Sequence, residues 1–241
     1  MAHLHRFYQE SPPDPSGGVT LSRDESHHAV RVLRVRQGDA VALFNGAGTE
    51  WRGTIRNLSR NDVAVAVESE RFEARPEPGV TLAQAWLHRD KVADEIVRQA
   101  TVLGAGEILF FRADHSEKKP RLSDKWPRIA IEACKQCGRL WLPRLSVADN
   151  LAEVLDGARD RQWVIARMEG PHAPMARAGR EKSIGYLVGP EGDFSGRELA
   201  LAEGAGALPI SLGNYTYRAE MAAFVGLTLI QYHLGHVGTR E

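Results

Sequence analysis

Three short stretches carry residues suited to holding a ligand through backbone atoms: Met168-Glu169-Gly170, Gly189-Pro190-Glu191-Gly192, and Leu212-Gly213 running into "NYTYRAE". Glycine lets the backbone approach a ligand closely and takes positive φ without steric penalty. Amides and carbonyls in such loops can read an adenine or a ribose without charged side chains. None of the three is a G-x-G-x-x-G or a P-loop, so neither a nicotinamide cofactor nor a triphosphate is favoured. Cys134 and Cys137 form a lone C-x-x-C with no second pair and no nearby histidine, and read as small buried thiols rather than zinc ligands.

Each ligand-holding stretch ends an apolar run. "WVIARM", "IGYLVG" and "ALPISLG" read as inner strands, as do "VTLAQAWL" and "EILFFRA" earlier in the chain. Helices alternate with them. One covers about 91–103, with Val92, Ile96, Ala100 and Leu103 on one face and Gly104 as its stop. A second covers 123–137 and ends at Gly138. The last runs over about 219–234, with Ala222, Val225, Leu229 and Tyr232 as its stripe. Ser195 and Glu198 have capping-box spacing, and Phe194 and Leu199 stand where a hydrophobic staple would put them. The alternation implies a parallel sheet covered on both faces, and ligands bind at the carboxyl ends of such strands.

The first third reads differently. Short alternating runs at Val30/Val32, Val41/Leu43, Trp51/Ile55 and Val63/Val65/Val67, separated by turns at 37–39, 45–48 and 59–62, suggest a small β-barrel. "RPEPGV" over 75–80 is a plausible linker.

Hydrophobic content of 43% and charged content of 26% describe a globular chain able to bury a core. No apolar run reaches membrane-span length, and "MAHLHRFYQE" lacks a signal-peptide core, so a cytoplasmic protein is expected. The net charge of +0 conceals a segregation. Between 112 and 144, Arg112, Lys118, Lys119, Arg121, Lys125, Arg128, Lys135, Arg139 and Arg144 outnumber Asp114, Glu117, Asp124 and Glu132. With Trp126 and Trp141 alongside, this is the pattern of a phosphate-contacting surface.

"LVGPEGDFSGRE" followed by "SLGNYTYRAEMAA" resembles the signature of the ribosomal RNA small-subunit methyltransferase E family of the SPOUT superfamily. "HRF", "HHAVRVLRVRQGD", "KVADEIVRQATVLGAGEI" and "IEACKQCGR" match in the family's order along nearly the whole chain. The resemblance implies an S-adenosyl-L-methionine-dependent enzyme that methylates N3 of a uridine in small-subunit ribosomal RNA, with the assembled subunit as the expected substrate. It implies an α/β fold: an N-terminal PUA-like β-barrel for RNA binding over 1–74, and a SPOUT domain with a trefoil knot over 75–241, working as a homodimer. Topology rules alone point to an unknotted doubly wound sheet.

By motif position, the resemblance assigns Met168, Leu187, Gly189, Glu191, Gly192, Leu212, Gly213, Tyr217 and Arg218 to the cofactor, and Arg218 with Glu220 to catalysis. Gln136 and Arg139 match a motif near the RNA or the partner subunit, and Arg6 matches the N-terminal Arg-Phe; these three are expected to bind RNA. Arg31 and Arg34 in the barrel motif, with Lys118, Lys119 and Arg121 in the basic segment, complete the expected RNA contacts. The chain departs from the pattern at Tyr215, Met221 and Asp193, where the family has arginine, threonine and glycine. Two other readings stand beside this one: a SPOUT enzyme for another nucleoside, such as a transfer-RNA ribose 2′-oxygen, and a non-catalytic RNA-binding homologue.

Overall fold

The structure, a computed structural model, describes residues 4–59 and 62–238. Residues 60 and 61 of the expected turn at 59–62, residues 1–3 and residues 239–241 lie outside the described residues. The chain divides into two compact units. One holds the residues up to Arg75 together with Cys134–Leu142; the other holds Pro76–Ala133 and the chain from Pro143 onward.

In the first unit, strands β1 (His5–Tyr8), β2 (Gly18–Thr20), β3 (Ala40–Phe44), β4 (Thr49–Leu58) and β5 (Val63–Phe72) form one sheet in the order β1-β3-β4-β5-β2. β1 runs parallel to β3, and the other pairs are antiparallel. Period-two alternation places Val41, Leu43, Trp51, Ile55, Val63 and Val65 in one core with Phe7. The expected strand at Val30/Val32 is not one. Helix α1 (Arg23–His28) continues into a π-helical turn over Ala29–Leu33, and Val32 is exposed. The reason is local: the Ser22 hydroxyl accepts from the Glu25 amide and caps a helix start, which outweighs the Val/Arg alternation beyond it.

On the sheet's other face, Ala42, Phe44 and Glu50 are wholly buried too. The segment Cys134–Leu142 belongs to this unit through backbone bonds: the Leu142 amide donates to the Gly46 carbonyl at 2.9 Å, and the Gly48 amide to the Leu140 carbonyl at 3.1 Å. The Trp141 indole donates to the Glu73 carbonyl. Gly48, at φ +95°, is where a Cβ would stand 2.6 Å from the Trp141 ring. Cys134 is buried as expected, and desolvation pushes its thiol up to about 12, whereas Cys137 is exposed.

The second unit is a sheet of β6 (Val80–Ala85), β7 (Glu107–Phe111), β8 (Arg144–Ala148), β9 (Gln162–Ala166), β10 (Ile184–Val188) and β11 (Leu208–Ile210), in the order β11-β9-β10-β6-β7-β8. Every pair is parallel. Its helices are α2 (Asp90–Val102), α3 (Trp126–Cys137, whose last residues belong to the first unit), α4 (Leu151–Asp156), α5 (Gly196–Gly204) and α6 (Ala219–His233). β8 and α4 are additions to the expected elements. Strands β6 and β10 are buried along their whole length, as strands covered on both faces must be. One face packs Ala83, Leu187 and Trp163 against Leu151 and Val154 of α4 and Ala202 of α5. On the other, α6 lies over β6 and β10 beside α2.

Two helical stripes are rotated from expectation. α2 buries Ala93, Ile96, Val97, Ala100 and Thr101, leaving Val92 and Leu103 only partly covered. α6 buries Ala219, Ala223, Gly226, Leu227, Ile230 and Gln231, while Leu229 and Tyr232 of the expected stripe are 40% and 68% exposed. α6 is apolar around most of its circumference, so periodicity could not pick a face. Small residues decide it, because they admit close contact with Tyr186 of β10.

Candidate active site

The apolar run of β10 ends at Val188, and the chain turns through Gly189–Asp193 into α5. The start of α5 is fixed by a complete capping box: the Ser195 hydroxyl accepts from the Glu198 amide, and the Glu198 carboxylate accepts from the Ser195 amide at 2.9 Å. Phe194 and Leu199 join the same core cluster, as a staple should. Asp193 turns at φ +58°, a conformation rare outside glycine, and its Oδ1 accepts from the Phe194 amide at 2.8 Å. The Gln84 side-chain amide, at the end of β6, donates to the Gly189 carbonyl at 3.2 Å.

From β11 the chain passes Gly213, at φ +119°, whose amide donates to the Ser211 hydroxyl at 3.1 Å. It then reaches Arg218, the N-cap residue of α6, with Glu220 in the first helical turn. From β9 it passes Arg167 and Met168, the latter 59% exposed. Because β11, β9 and β10 are neighbours in the sheet, these three exits emerge side by side.

Together they line a cleft of about 1250 Å³ at the carboxyl end of the sheet. Met168, Gly189, Glu191, Gly192, Leu212, Gly213, Tyr217, Arg218 and Glu220 all lie on its wall. Leu187 does not; its side chain is wholly buried in the core.

Two further connections contribute lining residues that sequence reasoning missed. The exit of β6 gives His88, Arg89 and Val92, and the exit of β7 gives His115 and Glu117. His88 Nδ1 stands 2.6 Å from Glu117 Oε2, and the His88 amide donates to Glu191 at 3.2 Å. His115 Nδ1 lies 2.9 Å from the carbonyl oxygens of both Asp193 and Gly192, and these two acceptors raise its pKa above the ordinary histidine value. The available signal was topological: in a parallel sheet, every connection after a strand opens at the same end.

The expected RNA contacts separate by exposure. Arg31, Arg34, Lys118, Lys119, Arg121 and Gln136 are exposed, and Lys119 pairs with Asp149 at 3.3 Å. Arg6 is turned inward, 2.6 Å from the buried carboxylate of Glu50, and lies over the Phe44 ring. Arg139 is partly buried, and desolvation lowers its pKa. Lys135, within the basic run, pairs with Glu25 at 2.9 Å. Trp126 is core rather than surface, its indole donating to Asp94 at 3.1 Å.

A family model for an RNA methyltransferase domain matches residues 75–231, and one for an RNA methyltransferase PUA domain matches residues 21–68. The ribosomal RNA small subunit methyltransferase E of Synechocystis is 29% identical over 220 residues, covering 88% of this chain and 72% of that protein. A Legionella pneumophila chain solved in complex with the bound cofactor SAM superposes with a TM-score of 0.85 at 27% identity, covering 96% of this chain and 98% of that one. A probable rRNA-methyltransferase from Porphyromonas gingivalis superposes equally well at 28% identity, covering 97% and 99%. With its parallel sheet, its cleft at the strand ends and a matched PUA domain ahead of them, the chain belongs to the RNA methyltransferase family, in the group named ribosomal RNA small subunit methyltransferase E.

Proposed function

We propose that the protein methylates N3 of a uridine in small-subunit ribosomal RNA with S-adenosyl-L-methionine. The observation that carries this reading is the convergence of the β9, β10 and β11 exits with Arg218 and Glu220 on one cleft. The cleft suits the cofactor: a Cβ added to Gly213 would meet nothing within 4 Å, so the backbone there borders open space. Gly189, Glu191, Gly192, Leu212, Gly213 and Tyr217, with Met168 at the rim, are the residues assigned to hold it; Leu187 contributes through its backbone. When bound, the cofactor supplies an electrophilic methyl group on a positive sulfonium.

The chain's own task is to make N3 a nucleophile. The imide proton must leave, and the ring then carries negative charge. The Arg218 guanidinium at the α6 N-terminus, where the helix dipole is positive, stabilises that charge. Glu220 is assigned the N3 proton. Positioning the base in line with the methyl group supplies much of the remaining acceleration, and the uridine must be unstacked to enter.

The finer architecture is part of the same reading. Residues 1–74 are assigned to RNA binding as a PUA-like barrel, and 75–241 to catalysis, with a trefoil knot and a homodimeric, cytoplasmic enzyme acting on the assembled subunit. The homodimer is supported by the exposed apolar residues Met221, Leu229 and Tyr232 on α6. Exposed Lys118, Lys119 and Arg121 support the RNA partner.

Calorimetry with S-adenosyl-L-methionine, followed by mass mapping of ribosomal RNA from a deletion strain, tests the assignment. The expected result is saturable binding and loss of one N3-methyluridine. Loss of a different modified nucleoside would replace the substrate, and no binding would leave a non-catalytic RNA-binding protein.

A further inference from the structure

His115 stands in the connection after β7, outside the three glycine-bearing exits, yet it bonds to one of them twice. Its Nδ1 is 2.9 Å from the Gly192 carbonyl and 2.9 Å from the Asp193 carbonyl. Both partners only accept, so the proton sits on Nδ1 in the neutral ring as well as in the charged one. The contact is also steric: a Cβ on Gly192 would stand 3.2 Å from the His115 Cβ.

The base from which His115 reaches is fixed. The neighbouring Asp114 carboxylate accepts from the Ser195 hydroxyl and from Arg197, each at 2.5 Å, and the Asp114 amide donates to Glu198 at 3.0 Å. On the other side, the Ser116 hydroxyl donates to the Trp86 carbonyl at 2.8 Å. The held segment is the one that needs holding, since it contains two glycines and a left-handed Asp193.

We propose that His115 is a positioning residue for the cofactor loop: its Nδ1–H ties two consecutive carbonyls and so holds Gly189–Asp193 in the shape that presents its backbone to the cleft. The bond spans 77 and 78 residues of sequence, joining the β7 exit to the β10 exit. Preorganising a loop in its bound shape strengthens binding by removing the ordering cost at the moment of association. This inference rests on the cofactor reading given above.

Titrating S-adenosyl-L-methionine alone into the full chain and its variants tests it. His115→Ala should weaken binding about tenfold, the upper end of the scale of one lost hydrogen bond. In His115→Asn the amide nitrogen stands where Nδ1 stood, and affinity should stay near wild type. In His115→Gln the nitrogen stands where Nε2 stood, and affinity should stay low. All four proteins should melt alike without ligand. Equal affinity in the wild type and His115→Ala, or equal rescue by Asn and Gln, overturns the proposal. A wild-type protein that does not bind at all overturns the cofactor reading, and the proposal with it.

Discussion

The ring of Tyr186 fills the space that a Cβ on Gly226 would occupy, while its hydroxyl donates to the Ala222 carbonyl at 2.9 Å. Tyr186 is wholly buried on β10, and Gly226 faces it from α6. The pair therefore sets how closely α6, whose N-cap is Arg218, lies against the strand that feeds Gly189–Asp193. Gly226→Ala should lower stability by about 2–3 kcal/mol, since the ring is pinned and cannot yield cheaply. Tyr186→Phe should cost only about 1 kcal/mol for the lost hydrogen bond. Urea unfolding of both variants measures the difference.

At Gly213 the strain and the ligand space coincide, because φ is +119° and the site of a Cβ is open. Gly213→Val should leave a folded protein that binds S-adenosyl-L-methionine at least about tenfold more weakly, strain alone accounting for about 1–3 kcal/mol. Undiminished affinity by calorimetry would remove the β11 exit from the cradle.

Arg218 is exposed at the cap position and makes no side-chain capping bond. Arg218→Ala should slow methylation by about one to three orders of magnitude with cofactor affinity changed far less, and Arg218→Lys should recover only part. Single-turnover rates with saturating cofactor decide this. Wild-type rates in both variants would make Arg218 structural.

RNA binding through the β7–α3 connection should be electrostatic. Replacing Lys118, Lys119 and Arg121 by alanine should flatten the dependence of log affinity on log salt by roughly two, about 0.7 for each phosphate of single-stranded RNA that is no longer neutralised. The measurement is a binding series in potassium chloride, and an unchanged slope would make the segment a solvated face.

Glu50 gives the first unit a defined response to acid. Burial raises its pKa, but bonds from Arg71 and Arg52 and the charge of Arg6 more than offset that, bringing it down to about 2. A carboxyl lowered on folding stabilises above its unfolded value near 4.5 and loses that contribution as pH falls toward 2. Glu50→Gln should cost about 3 kcal/mol at neutral pH, because it leaves the inward-turned Arg6 without its counter-charge, and should remove this acid-dependent step. Melting curves of both proteins between those limits show it.

Five strands of the second unit's sheet were legible because they are largely apolar runs closed by turn residues, whereas the edge strand β8, Arg-Leu-Ser-Val-Ala and mostly uncovered, carries no such signal. The Ser195–Glu198 cap was legible because its spacing is local. The register of α6 was not, since a helix apolar on most sides leaves the choice to the shape of Tyr186. Val30 and Val32 read as a strand because alternation with arginine imitates one, while the overriding signal, Ser22 three residues before Glu25, lies upstream. The cleft's glycine-bearing walls could be named from sequence, but His88 and His115 could not, because strand order alone makes them neighbours of the loop they touch. The inward turn of Arg6 depends on the carboxylate of Glu50, 44 residues away, which no local pattern announces.

The membership of Cys134–Leu142 in the first unit bears on how such a gene can be cut and rejoined. The chain crosses between its units after Arg75, before Cys134 and after Leu142, so a single crossover at 75 would separate Glu25 from Lys135 and the Gly46 carbonyl from the Leu142 amide. A graft of the first 75 residues onto a foreign enzyme carries a sheet lacking one of its own sides, and a transplanted second unit brings an orphaned strip of its neighbour. Shuffling should succeed only when the nine-residue strip travels with the N-terminal part.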